Sequence, residues 1–289
     1  MAKFVIDIDP NIVKNLLPAI RQLKDEDATK IFLKAFGDSG LPSSAFSFKE
    51  NMIQWCNNSE GEKLEIGPFD TPQLSGPNVE YFDILGEEDL RQRAVEHNRR
   101  PEGVPTIHHV DANGDLSSIG KKFDLIFSSH CIEHAPDLVS HLKQVADLLR
   151  PTGAYFLVIP DKRYCFDQKL PESTIADVIQ AHHSSNLRPS LDKIIEHRAL
   201  LSHNDALRHW LGDHRHTNDP STTDTLVANA IEEFFESEKY IDVHCWQFTP
   251  TSLLDVLRPL VKLNLFPFSR VSVSLTPFGR KDFTAVFHR

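Results

Sequence analysis

Residues 123–160, FDLIFSSHCIEHAPDLVSHLKQVADLLRPTGAYFLVIP, contain two apolar segments on either side of an amphipathic one. Residues 123–128 and 154–159 are almost continuously apolar, which is typical of buried strands. Residues 137–150 have apolar positions at helical spacing, and Pro151 is a helix stop. The stretch therefore predicts a strand, a helix and a second strand, the unit of a parallel sheet with helices on both faces.

The residues before this stretch continue the alternation. Short strands are predicted at 63–66, 79–85 and 106–110, and a charged helix is predicted at 87–100. Ligands of parallel sheets bind at the carboxyl ends of the strands. The segments that this rule brings together are 65–67, Asp83, 111–116 and 128–134.

The pattern changes after the second apolar strand. Residues 161–250 are polar, helical in places and rich in histidine, and they predict an insertion over the carboxyl edge of the sheet. A helix then begins with Thr249 or Thr251 as its N-cap. Residues 270–275 and 281–288 alternate with period two and predict a closing hairpin.

The chain divides into four parts on this basis. A further helix is predicted at 10–24, within an N-terminal helical segment. The sheet core, the helical insertion and the last helix with its hairpin follow. The predicted boundaries of the four parts are 1–60, 61–160, 161–250 and 251–289.

Composition argues against several classes of protein. The net charge of −10 makes nucleic acid an improbable main partner. No run of about 18 apolar residues predicts a membrane span, and the N-terminus lacks the pattern of a signal peptide, so a cytoplasmic protein is expected. The four cysteines are widely spaced, which favours neither a zinc site nor a disulfide framework.

Four segments carry a family resemblance. They are KLEIGP at 63–68, VEYFDIL at 79–85, VDANGDLSSI at 110–119, and the strand, helix and strand of 123–160. In this order they resemble the motifs of class I S-adenosylmethionine-dependent methyltransferases. In that family the segments lie beside the methionine part of the cofactor, its ribose and its adenine, and form the fourth and fifth strands.

The resemblance implies the fold and the cofactor. The expected α/β fold is a Rossmann-like, doubly wound, mostly parallel seven-stranded sheet with a C-terminal antiparallel hairpin and a helical insertion. The expected cofactor is S-adenosyl-L-methionine. The expected partner is a small-molecule methyl acceptor.

The first motif departs from the common pattern, because Gly67 stands where the family usually has two or three glycines. S-adenosylmethionine has no phosphate, so a glycine-rich loop that would cradle one is not needed. The chain resembles a subset that starts with E-I-G-P and later has P-D-K-R-Y-x-F-D, here at 65–68 and 160–167. This subset is often linked to sugar or polysaccharide chemistry, so a sugar or another small hydroxylated acceptor is expected.

The motifs assign ten residues to the cofactor. A carboxylate at Glu65 can face its cationic end, Gly67 permits close approach, and Asp83 can accept hydrogen bonds from the ribose diol. Two of these residues also have a simpler possible role: Glu65 as a cap or ion-pair partner, and Asp83 as a turn residue. The predicted cofactor contacts are Glu65, Gly67, Pro68, Asp83, Asp111, Asp115, Leu116, Ser128, Ser129 and His130.

Three histidines are predicted as the general base that a hydroxyl acceptor requires. His130 follows the fourth strand, which borders the methyl group in the resembling family. His182 and His244 stand in the insertion near patterns of the same subset, and each histidine alone is also compatible with simple packing. Glu133 and His134 have two open interpretations, a role at the start of the following helix or a role in catalysis.

Several alternatives remain open on the sequence. His214 and His216, with nearby aspartates, suggest a metal site, but no carboxylate pair stands at the strand ends, so no metal is expected. An amine acceptor would make the protein an N-methyltransferase. An aminopropyl transferase of the same fold and a non-catalytic cofactor-binding subunit are the remaining readings.

Overall fold

Eight strands form one mixed sheet in the computed structural model, which describes residues 3–7, 48–215, 220–237 and 240–289. The strands are β1 (Lys3–Asp7), β2 (Lys63–Ile66), β3 (Val79–Asp83), β4 (His109–Val110), β5 (Phe123–Ser129), β6 (Leu149–Pro160), β7 (Arg270–Ser274) and β8 (Asp282–His288). Their order across the sheet is β1-β7-β8-β6-β5-β2-β3-β4. Only β8 runs antiparallel to its neighbours among these strands.

Strands β2 to β8 are the predicted seven-stranded sheet with its closing hairpin, so the predicted fold class is confirmed. Strand β1 adds an eighth strand, which pairs in parallel with β7. The third predicted strand is only two residues long, and β6 starts at Leu149, before its predicted start at residue 154. The helix predicted at 10–24 lies outside the described residues.

The described α-helices are α1 (Lys49–Asn58), α2 (Glu87–Glu96), α3 (Leu138–Leu148), α4 (Ile175–Ser184), α5 (Leu191–Ala199), α6 (Ala206–Trp210), α7 (Thr223–Glu236) and α8 (Pro250–Lys262). Asp137 caps α3, because its side chain accepts a hydrogen bond from the Ser140 amide. Thr249 caps α8 in a reciprocal pair with Ser252, which confirms the predicted cap. Helices α4 to α7 lie within the predicted insertion.

The sheet is buried on both faces. Along β5, Ile126 packs into the larger core cluster, whereas Leu125 and Phe127 pack into a second one, since successive strand residues point to opposite faces. The second cluster includes Met52 and Cys56 of α1. Continuous apolar strands therefore fit this sheet, as the sequence pattern indicated.

The insertion has a small core of its own, formed by Ile194, Ala230, Ile241 and Val243. Its α4 packs against α3 and α8 and thus lies beside the sheet core. None of the helices in the described ranges has both the length and the apolar character needed to cross a bilayer.

Candidate active site

A cavity of about 840 Å³ lies at the carboxyl ends of β2, β3 and β5. The insertion closes one side of it with residues of α4 and with Tyr240 and Asp242. Six of the predicted cofactor residues line this cavity: Gly67, Asp83, Asp111, Asp115, Leu116 and His130. Segments that are distant in the sequence therefore meet at the carboxyl edge of the sheet, where ligands of such sheets bind.

Gly67 directly follows β2 and has a φ of 71°, a backbone conformation that residues with a side chain rarely adopt. A Cβ atom at this position would meet the Cys131 Sγ atom at 3.3 Å. Its amide donates a hydrogen bond to the Phe82 carbonyl oxygen, which fixes the turn against β3. The turn therefore needs a glycine for its conformation and leaves the backbone bare toward the cavity.

Asp83 is the last residue of β3 and is buried at the cavity wall. Burial raises the pKa of Asp83 to about 6, although backbone amides, that of Leu85 first among them, act in the opposite direction. The carboxyl group is therefore mostly ionised at neutral pH. An ionised carboxylate at this position can accept two hydrogen bonds from a vicinal diol.

The loop after β4 is held by its own aspartates. Asp111 accepts hydrogen bonds from the amides of Asn113 and Asp115, and Asp115 accepts one from Gln144 Nε2 at 2.7 Å. Both aspartates line the cavity while stabilising the loop. Leu116 beside them is fully buried, belongs to the main core and offers an apolar wall for a flat ring.

The structure places Glu65, Pro68, Ser128 and Ser129 outside the cavity lining. Glu65 points to the opposite face from Ile66, and its carboxylate accepts the amides of Gln73 and Leu74 at 2.8 to 3.0 Å. Burial raises the pKa of Glu65 to about 7. Its position corrects the expectation that it faces the cofactor, and its observed role is to hold the turn after β2.

Two of the three predicted base residues line the cavity. His182 of α4 donates from Nδ1 to the Asp137 carboxylate at 2.9 Å, and its Nε2 lies 3.4 Å from Lys143 Nζ. His130 has a left-handed φ of 53°, and its Nε2 lies 3.4 Å from Asp282 Oδ2. The His182 contact is the shorter of the two histidine–carboxylate contacts.

His244 is buried and does not line the cavity, contrary to the expectation that it acts on the acceptor directly. Its ring packs between Phe166 and His134, with both ring centroids 4.7 Å away. Its Nδ1 donates to Asp167 Oδ2 at 2.6 Å. Packing on both sides therefore separates this imidazole from the cavity.

The sequence missed a buried group around Glu133 and His134. Asp137 supplies the cap of the following helix, so that role does not fall to Glu133 or His134. His134 lines the cavity, and its Nδ1 lies 2.8 Å from Asp242 Oδ1. Asp242 also forms an ion pair with Arg93. The feature of the sequence that could have indicated this group was the adjacent pair of Glu133 and His134.

The other histidine pair considered for a metal does not join this group. His214 Nδ1 lies 3.0 Å from His209 Nδ1, and the rings stack. Asp213 is bound by Arg208 and Arg215. His216 and Asp219 lie outside the described residues.

Solved structures of other proteins are similar to parts of this chain. Structures similar to it include an S-adenosylmethionine-dependent methyltransferase from Thermotoga maritima, with 10% identity, a TM-score of 0.38, and coverage of 83% of this chain and 86% of that chain. The CcbJ methyltransferase from Streptomyces caelestis has 18% identity, a TM-score of 0.30, and coverage of 47% and 59%. A methyltransferase from Clostridium acetobutylicum has 19% identity, a TM-score of 0.30, and coverage of 50% and 61%.

This chain thus spans less than two thirds of the Streptomyces and Clostridium proteins, and none of these similarities identifies an acceptor. No curated protein matches the sequence. The family model for a methyltransferase domain matches residues 29–219, about two thirds of the chain. The chain therefore belongs to the methyltransferase-domain family, which confirms the predicted class of S-adenosylmethionine-dependent methyltransferases.

Proposed function

We propose that this protein methylates a hydroxyl oxygen of a small acceptor, with His182 as the general base. The supporting observation is that His182 lines the same cavity as Gly67 and Asp83 and has Asp137 hydrogen-bonded to its Nδ1. A sugar or a comparable small hydroxylated metabolite is the acceptor class that we infer. This inference rests on the E-I-G-P resemblance and on the histidine–carboxylate pair.

The residues of the cavity fit S-adenosylmethionine. The bare turn at Gly67, where a Cβ would meet Cys131, suits close approach of the methionine part. Asp83 can accept hydrogen bonds from the ribose hydroxyls, and Leu116 can pack against the adenine. The bound cofactor supplies an electrophilic methyl group on a positively charged sulfur.

His182 is arranged to remove a proton. Because its Nδ1–H is held by Asp137, Nε2 carries the lone pair, which accepts a long hydrogen bond from Lys143 Nζ at 3.4 Å and would accept the proton of an acceptor hydroxyl that replaced this contact. Asp137 then stabilises the imidazolium that forms when the proton arrives.

The proposed position of the acceptor is between the sheet and the insertion. Asp83 and Gly67 belong to the sheet edge, whereas His182 and Tyr240 come from the insertion. Holding the two reactants in one enclosed space supplies much of the rate gain in a displacement reaction. The insertion is accordingly proposed as the acceptor side of the site.

The test is turnover with a radiolabelled methyl donor on a panel of sugars and other small hydroxylated compounds. We expect His182→Ala to lower kcat by roughly 100-fold or more, the scale of a lost general base. Calorimetry should show unchanged binding of S-adenosylhomocysteine. His183→Ala is the matched control, because His183 is exposed on the same helix and does not line the cavity.

His130→Ala belongs in the same experiment. A full loss in His130→Ala with normal turnover in His182→Ala would assign the base to His130 and Asp282 instead. Normal turnover in both variants would contradict a histidine base and favour an amine acceptor. Binding of cofactor with no turnover on any acceptor would favour a non-catalytic subunit.

A further inference from the structure

Glu133, which directly precedes the cavity-lining His134, is an unusual residue. It is fully buried, and neither of its carboxylate oxygens has a hydrogen-bond partner among the described residues. A buried carboxylate without a partner is costly, and such groups are rare in folded proteins. Some other group must therefore interact with Glu133.

Two imidazole nitrogens face the same carboxylate oxygen. His134 Nε2 lies 3.9 Å and His244 Nε2 lies 3.8 Å from Glu133 Oε1. The three atoms lie within 4.8 Å of one another. These separations are too long for hydrogen bonds. The two nitrogen–oxygen separations are about half an ångström longer than the spacing of ligands around a tetrahedral ion with bonds of roughly 2.0–2.2 Å.

Each of the two histidines also has a carboxylate on its other nitrogen. Asp167 Oδ2 lies 2.6 Å from His244 Nδ1, and Asp242 Oδ1 lies 2.8 Å from His134 Nδ1. With these carboxylates beside Nδ1, the Nε2 atom of each ring is the one that lies near Glu133 Oε1. Metal-binding histidines commonly have such outer carboxylates.

Charge favours a cation at the same position. Glu133, Asp167 and Asp242 place three carboxylates around two imidazoles, and Arg93 pairs with Asp242 alone among them. Asp167 Oδ1 is also buried without a hydrogen-bond partner in the described part of the chain. A divalent cation would offset the negative charge that remains.

The backbone holds the two ligand segments together. The Glu133 carbonyl oxygen accepts hydrogen bonds from the amides of Cys245 and Trp246, at 2.7 and 3.1 Å. The Trp246 indole donates to the Ala135 carbonyl oxygen at 2.6 Å. The side chains of residues 133, 134 and 244 are thus placed by a rigid scaffold, as metal ligands require.

We propose that Glu133, His134 and His244 bind one zinc-class divalent metal ion, contrary to the expectation of no metal from the sequence. One carboxylate and two imidazoles form a donor set that catalytic zinc sites use, with a further position open to water or substrate. His134 lines the cavity, and so does His130, whose Nδ1 lies 3.7 Å from the same Glu133 oxygen. His134 is thus the ligand that connects this site to the cavity, whereas Glu133 and His244 are buried and do not line it.

The test measures the metal itself. Untagged full-length protein, purified without chelator, is analysed for metal content and, after stripping, titrated calorimetrically with zinc and with cobalt. We expect about one ion per chain and a cobalt absorption spectrum of four-coordinate type. Glu133→Gln and His244→Gln should each weaken binding by about 100-fold or more, and Asp167→Asn by roughly 10- to 100-fold.

His214→Ala is the control, because it removes a histidine of the stacked pair outside the site and should leave binding unchanged. Binding of S-adenosylhomocysteine verifies that each variant is folded. The proposal fails if wild-type protein takes up no metal, or if Glu133→Gln retains wild-type affinity. Because this readout needs no methyl acceptor, its failure is distinguishable from a failure of the methyl-transfer proposal.

Discussion

Asp83 combines a strand-end position with burial that makes its negative charge costly. Burial raises its pKa to about 6, so the side chain spends free energy to stay ionised at neutral pH. A ligand that donates hydrogen bonds to the carboxylate offsets this cost. The residue is thus better suited to bind a diol than to serve as an ordinary solvated turn residue.

We predict that Asp83→Asn weakens S-adenosylhomocysteine binding by about 1.5–3 kcal/mol, the range for hydrogen bonds to a charged group. Isothermal calorimetry at pH 7.5 measures the change. Asp89→Asn, at an exposed position of α2 outside the cavity, is the control. Equal affinities for the folded Asp83→Asn variant and the wild type would remove Asp83 from the cofactor site.

At the level of secondary-structure elements, the turn between β2 and β3 depends on Glu65. Its two oxygens accept the amides of Gln73 and Leu74, and burial raises its pKa to about 7 from the usual 4.5. The folded chain therefore binds a proton more readily than the unfolded chain between these two values. The free energy of unfolding must then increase as pH falls from about 7 towards 4.5.

We predict that Glu65→Gln reduces this pH dependence. Urea denaturation without cofactor, at several pH values from 5 to 8, gives the free energy of unfolding of both proteins. The wild type should gain more stability on acidification than the variant, because glutamine has no proton to bind. Parallel curves for the two proteins would show that Glu65 does not titrate in this range.

The sequence pattern predicted the helices and strands better than it predicted the contacts between their residues. Continuous apolar runs identified β5 and β6, and the Thr249 cap was readable because capping is local. Strand alternation predicts that Glu65 points to the opposite face of the sheet from Ile66, whereas its family motif suggested a contact with the cofactor. The meeting of Glu133 with His244 was not predictable, because it depends on how the 110 residues between them fold back.

For the whole molecule, cofactor binding joins the sheet edge to the insertion. The cavity wall includes β2, β3 and β5 termini on one side and α4 on the other. A ligand that binds only the native state stabilises all of these elements together. Ligand binding should therefore appear as a change in global stability.

We predict that S-adenosylhomocysteine at 100 times its Kd stabilises the protein by about 2.7 kcal/mol. A thermal scan should show the increase in Tm. ATP is the control ligand, since the single glycine of the first turn does not form a phosphate-binding loop. No increase at millimolar S-adenosylhomocysteine would contradict the assigned cofactor site.

Strand β8 lies between β6 and β7, although 121 residues separate the end of β6 from its start. A chain emerging from the ribosome cannot complete the middle of its sheet until residues 282–288 are outside the exit tunnel. Until then, β6 and β7 have unpaired backbone groups of the kind that invite association between chains. Interrupted synthesis before residue 282 should therefore produce aggregates and not a smaller folded enzyme.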